Sequence, residues 1–101
     1  MYEFAWRDSP QFDGRLGAGH SMEIPFVFDT LGNQTEALHG PNPPQSLADD
    51  MHAAGVSFAT TGDPGWPQFD LGRRATMHFD VVSEMVDDPL ARERALWEGI
   101  R

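Results

Sequence analysis

Apolar residues alternate with their neighbours at two places in the chain. Tyr2, Phe4 and Trp6 are separated by Glu3 and Ala5, a period of two that predicts a strand with one aromatic face. Ala75, Met77 and Phe79 alternate with Thr76 and His78 and predict a second strand. Between them the period lengthens. Leu47, Met51, Ala54 and Phe58 fall on one face of a helix over 47–60. Ser46 is its expected N-cap, Asp49 three positions on approximates a capping box, and Gly62 with Pro64 ends it. The apolar run through Ile24, Phe26, Val27 and Phe28 predicts a short helix over 23–30, with Pro25 tolerated in its first turn. Asp88-Pro89 predicts the start of a terminal helix whose apolar side carries Leu90, Leu96, Trp97 and Ile100.

The remaining stretches are polar. Residues 7–19 read as a loop punctuated by Gly14, Gly17 and Gly19, and 32–45 as a connector stiffened by Pro41, Pro43 and Pro44. The expected class is α/β, or α+β as an isolated piece, with about two strands and three helices in a single partial domain over 1–101. A two-stranded element is marginal alone and its edges are open to pairing. Such a piece is expected to be completed by an upstream segment or by a second copy of itself. Gly55 sits inside the long helix, where glycine costs about 1 kcal/mol relative to alanine. It implies a close contact or a tolerated defect.

Composition narrows the chemistry. The 101 residues contain no cysteine, which excludes disulfides, a thiolate metal site and a cysteine nucleophile. Seven basic residues, all arginine, stand against sixteen acidic ones, for a net charge of -9. That balance disfavours nucleic-acid and anionic-membrane partners. No apolar run reaches the ~20 residues of a membrane span. The first residues lack a basic region followed by an apolar stretch, so cytoplasmic residence is the expectation.

Three readings of Gly17-Ala18-Gly19-His20-Ser21-Met22-Glu23 are open from the residues alone. Ser21 sits in four-fifths of a G-x-S-x-G elbow, but Glu23 replaces the last glycine and no buried strand precedes it. His20 could act as a general base, since an imidazole exchanges a proton near neutrality. It could equally be a solvated or capping loop histidine. His52 with Asp49 at helical spacing resembles half a metal site, and two ligands do not complete one. His39 and His78 have no convergent partners in the sequence. All three are expected at the surface or half-buried. Trp6, Trp66 and Trp97 read as core or packing surface.

The stretch from Gly17 to Phe28 resembles the histidine segment of the type-B carboxylesterases, the family of para-nitrobenzyl esterases and cholinesterases. The likeness continues through Leu47–Met51, through Phe58-Ala59-Thr60-Thr61-Gly62-Asp63-Pro64 and Trp66-Pro67, and into the strands near Phe4 and Met77. It implies the C-terminal portion of an α/β-hydrolase with a serine, acid and histidine triad and no cofactor. His20 matches the triad histidine, and Glu23 an acidic residue beside the active site. The triad acid, the elbow serine and the glycine-rich oxyanion loop have no counterpart in this chain. The resemblance therefore implies a small-molecule ester as substrate of the complete enzyme and an inert isolated chain. One departure is Gly55, where relatives carry a large aromatic side chain. A void at the helix packing surface is expected there.

Overall fold

A computed structural model describes residues 1–32 and 34–100. In chain order the elements are β1 (Tyr2–Phe4), α1 (Gln11–Gly14), α2 (Ile24–Val27), α3 (Glu36–His39), α4 (Gln45–Thr61), β2 (Ala75–Phe79), β3 (Glu84–Asp87) and α5 (Ala91–Trp97). The strands form one sheet in the order β1-β2-β3. β1 runs parallel to β2, with Tyr2 opposite Met77 and Phe4 opposite Phe79. β2 and β3 are antiparallel, with Ala75 opposite Asp87 and Met77 opposite Met85. A parallel pair requires a crossover. The helices α1 to α4 lie within that crossover.

The expected mixed α/β class holds, with three strands and five helical segments rather than two and three. β3 is the added strand. Its half-buried Met85 and Val86 are adjacent and flanked by Glu84 and Asp87, so no alternation marks it. The hairpin turn before it holds together through Asp80, whose carboxylate accepts the Val81 N–H at 2.7 Å and whose carbonyl accepts the Ser83 hydroxyl at 3.2 Å. It lacks the glycine or asparagine that usually signals such a turn.

The long helix is in place, and its start differs. α4 begins at Gln45 after Pro44, and no side chain caps it. Ser46 is therefore in the first turn and not at the N-cap. The proline fixes an extended residue at the boundary and needs no N–H of its own. Gly62 closes the helix in the left-handed conformation, φ 79°. The short helix expected over 23–30 is the single turn α2, and α3 is an added turn inside the proline-rich connector. α2 packs against α4. Phe26, Met22, Leu47, Ala48 and Met51 join Trp6 and Phe79 in one buried cluster. Phe58, expected on that face, is exposed.

Gly55 is a defect and not a close contact, because a Cβ built there meets no atom within 4 Å. The space beside it is an apolar cavity of about 240 Å³ lined by Val27, Met51, Phe58, Trp66 and Phe79. Gly55→Ala is expected to raise stability by about 1 kcal/mol through helix propensity alone. Thermal unfolding followed by circular dichroism measures it. A lowered midpoint would mean that the helix needs the glycine.

The terminal helix starts later than Asp88-Pro89 implies. Asp88 adopts φ 47°, and α5 runs from Ala91. The Asp88 carboxylate instead receives Arg94, Nη2 to Oδ2 at 2.6 Å. The apolar side of α5 is unpartnered among the described residues, with Leu96 75% and Trp97 69% exposed. Of the three tryptophans, Trp6 is buried and Trp66 half-buried. No helix among the described residues is long and apolar enough to cross a membrane.

The hydrogen bond from Arg94, aided by the positive charges of Arg94 and Arg74 and opposed by desolvation, holds the Asp88 carboxyl below its ordinary 3.8. A lowered folded-state pKa gives a stabilising contribution that is complete above the ordinary carboxylate value. It is lost as pH falls through the lowered one. The stability of Asp88→Asn is thus expected to fall less than that of the parent on acidification below pH about 4. Urea midpoints taken across that range check this; parallel pH profiles would rule it out.

Candidate functional site

The turn that carries His20 is fixed from both ends. Upstream, Trp6 is buried directly after β1. The buried Ser9 hydroxyl donates to the Leu38 carbonyl. Gln11 Nε2 donates to the Glu36 carbonyl at 2.7 Å, which ties α1 to α3. Pro10 packs so closely on Gly40 that a Cβ there would lie 2.7 Å from the proline ring, and Gly40 has φ 77°. A side chain at position 40 would push the loop away. Half-buried Leu16 packs on the core and brings the chain back inward.

The residues around His20 form tight turns. Gly17 takes φ 60°, and a Cβ on Gly19 would come within 3.3 Å of the Leu16 carbonyl. The Met22 N–H donates to the Gly19 carbonyl at 3.3 Å, and the Ile24 N–H to the Ser21 carbonyl at 3.4 Å. Ser21 is left-handed at φ 64°, a conformation that costs an L-residue about 1–2 kcal/mol. Strain of this kind persists only where the surroundings impose it, and it concentrates at functional sites. Met22, 1% exposed, anchors the turn in the core.

His20 is exposed at the tip of this turn, Ser21 and Glu23 are half-buried, and Phe26 below them is buried. Glu23 sits immediately before α2, where its carbonyl accepts the N–H groups of Phe26 and Val27, each at 3.0 Å. Among the described residues no group hydrogen-bonds the His20 ring. The imidazole is exposed above a base anchored by the buried Met22 and Phe26.

The other histidines take structural roles, one of them against expectation. His52 is exposed and its Nδ1 lies 3.0 Å from the Val27 carbonyl, joining α4 to α2. Asp49 accepts from Gln45 at 3.0 Å. His78 Nδ1 lies 3.3 Å from Glu3 Oε2, a pair set by their opposed positions on β2 and β1. His39 is the correction. Expected at the surface or half-buried, it is 2% exposed and lies parallel to Trp6, with ring centroids 6.1 Å apart. Its partners come from three separate segments, so no local pattern marks it.

No family model matches the chain. Over 101 aligned residues it is 28% identical to the para-nitrobenzyl esterase of Bacillus subtilis, covering 93% of the chain and 20% of that protein. It is 37% identical over 71 residues to the phenmedipham hydrolase of Pseudarthrobacter oxydans, covering 60% of the chain and 14% of the hydrolase. A solved carboxylesterase of Geobacillus stearothermophilus superposes with a TM-score of 0.76 at 38% identity, over 96% of this chain and 21% of that one. The chain thus spans about one fifth of the length of that para-nitrobenzyl esterase and carboxylesterase.

Proposed function

From the premise that the chain is homologous to a segment of the type-B carboxylesterase family, we propose that it contributes the triad histidine, His20, to ester hydrolysis. His20 takes the proton of a serine hydroxyl as that oxygen attacks the ester carbonyl. It returns the proton to the alkoxide as the carbon–oxygen bond breaks, leaving an acyl-serine and an alcohol. A water attacks the acyl group with the same histidine as base, releasing the acid and restoring the serine. Glu23, half-buried three positions on, matches the acidic residue that the resemblance places beside the active site. The serine, the triad acid and the oxyanion donors belong to residues outside these 101. One observation carries the reading: within the Gly17–Phe28 stretch, the strained turn at Ser21 holds an exposed imidazole on a buried base.

The direct test is hydrolysis of a para-nitrophenyl ester by the purified chain and by its His20→Ala variant. Both are expected to match the buffer rate. Turnover that disappears in His20→Ala would place a nucleophile inside the chain and bring Ser21 forward.

A second reading is a non-catalytic module that associates with itself or with the remainder of a hydrolase. The exposed Leu96 and Trp97 of α5 and the edge of β1 away from β2 favour it, because exposed apolar side chains and an open strand edge can each be buried by association. Light scattering in solution decides; a monomer at all concentrations counts against self-association.

A further inference from the structure

We infer that His39 is a positioning residue for the His20 turn: its Nε2–H donates to the Met22 carbonyl and locks the turn onto α3. The inference rests on the reading of His20 as the proton carrier. Nε2 lies 2.8 Å from that oxygen, in a buried contact between residues seventeen positions apart. A carbonyl only accepts, so the contact is a hydrogen bond only with the proton on Nε2. Among the described residues no backbone N–H donates to the Met22 carbonyl; those of Phe26 and Val27 go to Glu23. Without His39 a buried acceptor loses its partner.

The other ring nitrogen makes a longer contact, to a carbonyl that already has partners. Nδ1 is 3.1 Å from the Thr35 carbonyl, which already accepts the N–H groups of Leu38 and His39, both at 3.0 Å. Ring orientation is set by packing. The imidazole lies within 10° of parallel to Trp6 and meets Phe26 edge-on, centroids 5.5 Å apart. The turn is therefore held by the Met22 side chain in the core and by its carbonyl on His39. These two fixed points lie next to Ser21, whose left-handed backbone needs imposing. His20 is the residue immediately before it.

The test uses the 101-residue chain, labelled with nitrogen-15. The His39 ring is expected to show a slowly exchanging proton on Nε2. His39→Leu, which fills the space without a donor, is expected to speed exchange of the Met22 and Ile24 amides about tenfold or more. The amides paired between β2 and β3 should change less than about threefold. His39→Gln, whose amide nitrogen takes the place of Nε2, should restore most of the protection. Three results would overturn the assignment: a proton on Nδ1 alone, unchanged exchange in the turn, or equal acceleration across the β2–β3 ladder. If His39→Leu does not fold, the ring protonation of the parent and the His39→Gln exchange pattern decide by the same criteria. None of these readouts depends on ester turnover, so a failed His20 assignment and a failed His39 assignment are told apart.

Discussion

His20→Ala, placed in a Bacillus subtilis para-nitrobenzyl esterase whose corresponding segment has been exchanged for these 101 residues, is expected to lower kcat by about 10⁴- to 10⁶-fold. The exchange supplies what the chain is proposed to lack: a serine, a triad acid and oxyanion donors. In that setting the imidazole moves a proton only as the transition state forms, so its loss should fall on kcat and leave KM nearly unchanged. The residual rate would come from the oxyanion donors and binding. Ser21→Ala in the same chimera is expected to cost less than about tenfold, since position 21 is proposed to shape the turn and not to attack the ester. Rates are measured with a para-nitrophenyl ester, and circular dichroism confirms that each variant is folded. Retention of kcat within tenfold in His20→Ala would remove the histidine from the mechanism. Loss of activity in Ser21→Ala with His20 intact would return the nucleophile to this chain.

Legibility differed between elements for physical reasons. β1, β2 and α4 each carry a full period of apolar positions, so alternation and helical spacing reveal them. β3 has two adjacent half-buried residues, Met85 and Val86, and its identity comes from pairing with β2 and not from its own pattern. α3 is one turn long, too short to form on its own propensity. It persists because the Ser9 and Gln11 side chains bond its carbonyls. The apolar side of α5 was legible as a packing face, yet the described residues provide nothing for it to pack on.

The candidate site divides in the same way. His20 among glycines has no distinguishing feature; the resemblance of the twelve-residue stretch Gly17–Phe28 singles it out. The structure adds what spacing does not carry: the left-handed Ser21, the tight approach at Gly19 and the buried anchor at Met22. His39 lay beyond the reach of sequence reading because Trp6, Met22 and Phe26 converge on it only after folding. The void expected at Gly55 came from the resemblance, since a glycine inside a helix is by itself as consistent with a close contact as with the open space found there.

Phe26→Ala is expected to destabilise the chain by about 3–5 kcal/mol. Phe26 is 0% exposed and is the residue on which the sheet side and the helix side of the core meet. Its ring lies 5.4 Å from Phe4 and 5.3 Å from Trp6. It also meets the His39 ring at 5.5 Å. Truncation removes the transfer free energy of the ring and leaves a cavity whose walls come from rigid elements, so little of the space can collapse. A domain of this size has about 5–15 kcal/mol to lose. Here the reserve is expected toward the lower end, because α5 leaves Leu96 and Trp97 exposed. Phe26→Leu, which keeps much of the volume, is expected to cost less than half as much. Urea unfolding followed at the buried Trp6 and in the far ultraviolet measures both variants. A loss under about 1 kcal/mol for Phe26→Ala would show that the turn, the sheet and α4 do not share one core. In that case the rigid base assigned to His20 would have to come from the loop bonds alone.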